Sequence, residues 1–471
     1  MQMHPETGMI DHAAIENLLQ KHAAPSDSQV REILAKAEKM QGLSFEDVAL
    51  LVNVRDPELT DELCAVAGRI KDTIYGRRMV LFAPLYISNF CSNECTYCAF
   101  RVHNKSIVRR ALTQDEIATE VRALEDQGHK RLLIVAGEAY PGGEGIDYVI
   151  KAIRTAYATK AGSRGEIRRV NINIAPVSED DFRRLHAENI GTFQLFQETY
   201  HLPTYKQVHV SGRKRDYLWR LNAFDRAMRA GFGDIGAGVL FGLYDWRFEI
   251  LALMQQVRHL EEQFGVGPHT ISVPRIEPAT GSDLASHPPY AVADEDFRRI
   301  VAILRVAVPY TGIIMSTRES AAMRRETFKL GVSQISAGSR TNPGGYSLDE
   351  SGTGEDDAAQ FSLGDHRPLD EVVADLANLG YIPSFCTGCY RMGRVGQDFM
   401  DLARPGEIKN HCAPNGLSTF QEYLLDYATP ATRALGEALI ERVVAEMKGT
   451  PRKRAESLLA RVRSGERDAY Y

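Results

Sequence analysis

The chain has 471 residues, 44% hydrophobic and 25% charged, with a formal net charge of −6. That length supports one large core plus an appended domain, and the acidic balance argues against nucleic acid as the main partner. The opening MQMHPETGMIDHAAI lacks the basic and apolar regions of a signal peptide. No apolar run approaches the ~20 residues of a membrane helix. A soluble, cytoplasmic protein is expected, with neither nucleic acid nor membrane as partner.

In chain order, residues 1–76 read as a helical extension, with apolar residues at helical spacing over 11–23, 27–40 and 57–75. From Arg78 short β-rich runs alternate with amphipathic helices. Strands are expected at 80–88, 131–137, 169–175, 192–197, 234–241, 270–275, 312–317 and 334–337. Helices are expected at 113–127, 146–158, 178–188, 216–230, 247–264, 294–308, 319–330 and, after a Gly-rich loop at 341–357, at 368–379. Eight βα units over residues 77–380 argue for an α/β chain closed as a parallel (βα)8 barrel. The alternative is an open dinucleotide-binding sheet. Its fingerprint is missing, because Gly236, Gly238 and Gly242 fall in a strand instead of opening a helix. Residues 381–471 form a C-terminal segment with helices at 430–448 and 452–463, the second opening on a solvated Arg452–Arg454 run.

Six of the seven cysteines fall into two sets, while Cys64 sits in an amphipathic helical stretch and reads as a core thiol. Cys91, Cys95 and Cys98 form a CX3CX2C run directly after the first strand. Three thiolates can hold three irons of a cubane and leave the fourth open to a small ligand. A structural zinc loop would need a fourth ligand, and none lies nearby in sequence. Cys386, Cys389 and Cys412 form CX2CX22C, which reads either as a second open cluster or as a zinc knuckle completed by His411. Barrel topology separates the two sets. Residues after a strand's C-terminus line the top of a barrel, whereas Cys386 follows the last helix and returns to the bottom. A ~6-residue strand at ~3.3 Å per residue puts about 20 Å between the faces.

The first run, with Tyr97 before its third cysteine, is similar to the radical S-adenosylmethionine (SAM) signature. PLYISNFCSNECTYCAF, RLLIVAGE, LFQETYH, GVGPHTISVPRIEP, ISAGSRTNPGGY, CTGCYRMGR, HCAPNGLSTFQEYLLDYA and GERDAYY extend the likeness along nearly the whole chain. The chain resembles the radical SAM tyrosine lyases of [FeFe]-hydrogenase maturation. The CX2CX22C element separates these from the related 2-iminoacetate synthases of thiamine synthesis. The resemblance implies a radical SAM barrel followed by a cluster-binding C-terminal domain. A [4Fe–4S] cluster on Cys91, Cys95 and Cys98 would cleave SAM. The adenosyl radical would then attack L-tyrosine, giving p-cresol and dehydroglycine. A second [4Fe–4S] cluster on Cys386, Cys389 and Cys412 would convert dehydroglycine to carbon monoxide and cyanide. An extra iron, bridged by free L-cysteine, would carry the product.

Other residues carry over from the resemblance. Gly137 and Glu138 stand where the superfamily's GGE-like motif meets the methionyl amino group, although Ala136 departs from it; without the resemblance Glu138 is a solvated strand-end acid. His269, before strand 6 and so at the barrel bottom, matches the ligand of the extra iron, though a lone histidine is more often structural. Arg318 and Ser336 would grip the substrate carboxylate, where a guanidinium fork fits well; an ion pair with Glu319 is the plain alternative. Gln197 and Glu198 would contact ribose. The implied partners are a one-electron donor such as ferredoxin or flavodoxin, and other hydrogenase maturases. Two alternatives remain: a 2-iminoacetate synthase that stops at dehydroglycine, and a non-catalytic iron–sulfur carrier.

Overall fold

The computed structural model describes residues 3–348 and 358–471, so most of the Gly-rich loop expected at 341–357 lies outside the described residues. Eight strands run parallel around one axis: β1 (Arg78–Ser88), β2 (Arg131–Ala136), β3 (Arg169–Asn173), β4 (Phe193–Gln194), β5 (Ile235–Gly238), β6 (Thr270–Ser272), β7 (Gly312–Met315) and β8 (Val332–Ser336). Each pairs with the next, and Val80–Phe82 of β1 pair with Gln334–Ser336 of β8. The barrel is closed, as expected.

Alternation along the strands builds two compartments. In β1, Met79, Leu81, Ala83, Leu85 and Ile87 face the outer helices as part of the main core. Arg78, Val80, Phe82, Pro84 and Tyr86 face inward and line cavities. This is the period-2 split of a barrel strand. Helices cover the outside, started by capping boxes such as Thr113 with Glu116 before Gln114–Asp126.

Several elements differ from the sequence expectation. β4 is two residues long where six were expected. Leu195 and Gln197 still donate to Gly236 and Gly238, but the chain then leaves strand geometry, with Glu198 at φ +71°. The helix expected at 216–230 breaks at Asn222 into Tyr217–Leu221 and Ala223–Arg229. The N-terminal region gains a helix, Phe45–Leu51, capped by Ser44 and Asp47.

Further elements were not anticipated, the helices Leu202–Val208 and Gly396–Ala403 among them. Glu94–Cys95 pairs antiparallel with His209–Ser211. β9 (Ile382–Ser384) pairs parallel with Arg78–Val80, so the C-terminal segment enters directly beside the bottom of β1. The helix Ile408–Asp426 contains Pro414 and Gly416, both breakers in sequence. Burial of nearly every residue from Pro414 to Leu424 outweighs a proline cost of about 3 kcal/mol. Among the described residues no helix is long and apolar enough to cross a membrane.

Candidate active site and second cysteine site

Cys91, Cys95 and Cys98 open into a cavity of about 220 Å³ at the C-terminal ends of the strands. The ribbon pair Cys95–His209 fixes the middle cysteine, and Tyr97 shares a 2.8 Å hydrogen bond with His209 Nε2. Asn93 Nδ2 lies 3.6 Å from Cys91 Sγ, and Gln360 Nε2 3.8 Å from Cys98 Sγ. Such N–H donors aimed at sulfur suit a cluster whose thiolates carry charge. Burial pushes the free Cys95 thiol up to about 12, so loading metal here must release protons.

Around this trio stand most of the expected residues. A Cβ on Gly137 would lie 2.2 Å from the Phe90 carbonyl oxygen, so only glycine lets β2 end against the cysteine loop. Glu138 accepts from Asn93 Nδ2 at 2.5 Å. Glu198 is buried, 2.6 Å from Lys214 and 3.4 Å from Arg220. Burial opposes its charge, but these two cations hold its carboxyl below the usual range. Its left-handed backbone is strain placed at a functional position. Arg318 is not the ion-pair partner of Glu319, which binds Arg275 instead. It is half-buried in the cavity wall, its guanidinium 3.3 Å from the centre of the Phe361 ring. Ser336 lines the same wall and accepts from Thr317 N. Gln197 does not join them. It is buried outside both cavities with Nε2 unpartnered, because alternation sends Gln194, Phe196 and Glu198 into the cavity and Gln197 the other way. Asn93, Lys214, Arg220 and Gln360 were not foreseen, and no motif marks them.

Cys386, Cys389 and Cys412 open into a second, smaller cavity of about 40 Å³ at the N-terminal ends of the strands. The two cavities stack on the barrel axis. β1 gives Val80 to the lower and Phe82 to the upper, β2 gives Arg131 and Leu133, and β8 gives Gln334 and Ser336. Gly388 N donates to Cys386 Sγ at 3.3 Å. Cys389 and Cys412 lie against each other, and their mutual interaction shifts the two thiols in opposite directions. It lowers the Cys412 thiol, which Arg78 and Arg394 lower further, and raises that of Cys389. His411, the alternative zinc ligand, stands outside this cavity and contacts Arg394 at 3.3 Å. His269 lines it instead, 3.4 Å from Asp234 Oδ1 and packed on Phe399.

Arg78 and Arg131 were missed, though each is the first inward position of its strand. Arg78 is buried, with Nε unpartnered, and the three thiols lead the groups that sustain its charge. A buried guanidinium without a carboxylate is costly unless an anion faces it, so three thiolates fit this pocket. Residues 468–471 strap the loop. Tyr470 packs where a Cβ of Gly388 would be, and Asn415 and Arg394 bond the Tyr471 backbone. Cys64, the remaining cysteine, is half-buried with its thiol raised to about 11 by burial.

Among the described residues no three His, Cys, Asp or Glu side chains converge on a single-ion site. A cubane presents a separate iron to each thiolate and needs no such convergence. The donor sets of both cavities fit a cluster.

A closed parallel barrel with three thiols in the loop after its first strand defines a radical SAM enzyme. Residues 85–255 match the radical SAM superfamily, and residues 272–382 the biotin and thiamin synthesis associated domain. The chain is 30% identical to 2-iminoacetate synthase of Escherichia coli K12, over 75% of this chain and 90% of that protein. A crystal structure of HydG, a maturase of the [FeFe]-hydrogenase, superposes with a TM-score of 0.94 at 45% identity, covering 98% of this chain and all of that one. HydG from Carboxydothermus hydrogenoformans gives 0.82 and 39%, over 95% and 97%. The chain belongs to the branch of the radical SAM superfamily that holds HydG and 2-iminoacetate synthase.

Proposed function

We propose that the chain is a two-stage tyrosine lyase, with one stage at each cysteine site. At the upper cavity L-tyrosine is cleaved between Cα and Cβ to p-cresol and dehydroglycine. At the lower one dehydroglycine is broken down to carbon monoxide and cyanide, which build an iron–carbonyl–cyanide unit for other [FeFe]-hydrogenase maturases. The observation that carries this reading is the pair of thiol-lined cavities stacked on one axis. The coverage of the relatives supports it: the HydG likeness spans 98% of the chain, the 2-iminoacetate synthase likeness 75%.

The residues divide the work by their chemistry. Cys91, Cys95 and Cys98 hold the first [4Fe–4S] cluster. When bound, that cluster with SAM would supply one-electron reductive cleavage. Glu138, held by Asn93, accepts the methionyl ammonium beside Gly137. Glu198, held ionised by Lys214 and Arg220, accepts ribose hydroxyls. Arg318 takes the tyrosine carboxylate in a bidentate grip, with Ser336 beside it. Phe82, Leu133 and Ile314 make that wall apolar and keep water from the reacting carbon. Below, Cys386, Cys389 and Cys412 hold the second cluster. His269, 3.4 Å from Asp234, would offer a nitrogen to an extra iron alongside free L-cysteine.

The test is anaerobic reconstitution with iron and sulfide, followed by dithionite, SAM and tyrosine, and assay of p-cresol, cyanide and carbon monoxide. The wild type is expected to yield all three. Cys386→Ser should keep p-cresol and lose carbon monoxide. Unchanged carbon monoxide from that variant removes the lower site from the reaction, and a wild type without p-cresol removes the lyase.

A further inference from the structure

Among the described residues the charged side chains lining the upper cavity are Glu138, Glu198, Lys214, Arg220, Glu277 and Arg318. Glu198 pairs with Lys214 and Arg220, and Glu138 accepts from Asn93. Arg318 and Glu277 are left, one of each sign. Glu277 is half-buried and makes no hydrogen bond or ion pair among the described residues. Arg318 rests on Phe361 and reaches the Arg275 carbonyl at 3.5 Å, with no carboxylate in ion-pair range among the described residues.

The backbone holds both in place. Glu277 belongs to the VPRIEP run that follows β6, and Arg318 follows β7. Arg275 of the same run is fixed by Glu319 and Asp294, and Ile276 N donates to Phe241 O. Ser362 N donates to Pro278 O, while Gly364 N donates to Thr317 O. One stretch of chain thus clasps the residue after Glu277 and the residue before Arg318, which fixes the spacing of the two loops.

The electrostatics leave each group short of a counter-ion. Burial and the charge of Glu319 raise the Glu277 carboxyl, with Arg318 and Arg275 opposing them. Burial lowers the Arg318 guanidinium, against Tyr86, Glu198, Glu277 and Cys98. A charge drawn out of water without an opposite charge on it is costly. A neighbouring cation and anion that do not pair with each other suit a ligand bearing both signs on one carbon. That is the head of an α-amino acid. Deeper in the cavity, the inward residues Phe82, Leu133 and Ile314 give its side chain an apolar floor.

Resting on the reading that this cavity cleaves tyrosine, we infer that Glu277 binds the substrate's α-ammonium. With Arg318 on the carboxylate, it makes the upper cavity selective for a free α-amino acid. An analogue without the amine leaves Glu277 unpaired, and an unpaired polar group in a site is a strong basis for rejection.

The experiment measures binding by calorimetry on full-length, cluster-loaded protein with SAM, kept unreduced so that no turnover occurs. The ligands are L-tyrosine, tyramine, which lacks the carboxylate, and 3-(4-hydroxyphenyl)propionate, which lacks the amine. Glu277→Gln should weaken L-tyrosine and tyramine by about ten-fold or more and leave the propionate within about two-fold. Arg318→Ala should weaken L-tyrosine and the propionate and spare tyramine. Glu277→Asp, which keeps the charge, should retain most of the affinity for L-tyrosine, and SAM binding should be unchanged in every variant. Equal loss of all ligands in Glu277→Gln overturns the inference, as does unchanged L-tyrosine affinity or weakened SAM binding. The expected pattern in a protein that forms no p-cresol on reduction would fault the lyase reading and leave the amino-acid receptor standing.

Discussion

The upper and lower cysteine sites differ first in charge. Above, the thiols face a wide cavity with apolar walls; Lys214, the cation that acts on Cys95, is tied to Glu198, and burial dominates Cys95 and Cys98. Below, Arg78, Arg131 and Arg394 crowd a small cavity, and Cys412 is pulled toward its thiolate. They differ also in covering. The upper loop borders the exposed side chains of Phe90 and Val102, whereas the lower is strapped by residues 468–471. One barrel thus offers an open, apolar mouth suited to an organic substrate and a closed, cationic one suited to anionic iron chemistry. The alternation that sends Val80 down and Phe82 up makes both from the same strands.

The largest test of that difference is Arg318→Ala. Removing the cationic partner of a carboxylate costs about 2–5 kcal/mol, so tyrosine cleavage should fall at least ~30-fold. The lower cluster's spectrum should be unchanged, and a loss of its signal would mean the two sites are not separable.

Arg78→Met probes the lower site in the same way. At an effective dielectric of ~20 and a nominal ~6 Å, one charge contributes about 3 kcal/mol, on the order of 100 mV for a one-electron couple. The lower cluster's potential should drop by that order and the upper one's should not move, as read by EPR-monitored titration. Equal shifts in both would deny Arg78 its local role.

The smallest effect concerns pH. Glu249 binds Thr199 Oγ1 and Tyr200 N directly after Glu198, and burial raises its carboxyl to about 8. Its folded value exceeds its unfolded one, so the native state holds the extra proton. The stability this gives is full below about 4.5, is lost progressively as pH rises to about 8, and is constant above that. The melting temperature of the wild type should fall between pH 5 and 8, with upper-site activity dropping a few-fold. Glu249→Gln should flatten both. An unchanged slope over that range in the variant would place the loss elsewhere.

Much of this was legible in sequence. Eight βα periods announced the barrel, and cysteine spacing announced both sites, because ligand chemistry and hydrophobic period are local properties. Gln197 was legible too: Gln194, Phe196 and Glu198 enter the cavity, so period-2 alternation by itself turns Gln197 away from it. Pro414 and Gly416 hid the helix that carries Cys412, since only burial against the barrel offsets their cost. Arg78, Arg131, Asn93 and Lys214 carry no motif, and their meaning comes from what lies opposite.

By itself the sequence determined the eight barrel strands, the two trios of candidate thiols and the order in which they enter the chain, all through periodicity and spacing. Only the tertiary structure decided which charges face which thiols, that β9 sets the second trio against the start of β1, and that Glu277 and Arg318 face one cavity. Those outcomes depend on closing the sheet, and closure joins residues that are far apart along the chain.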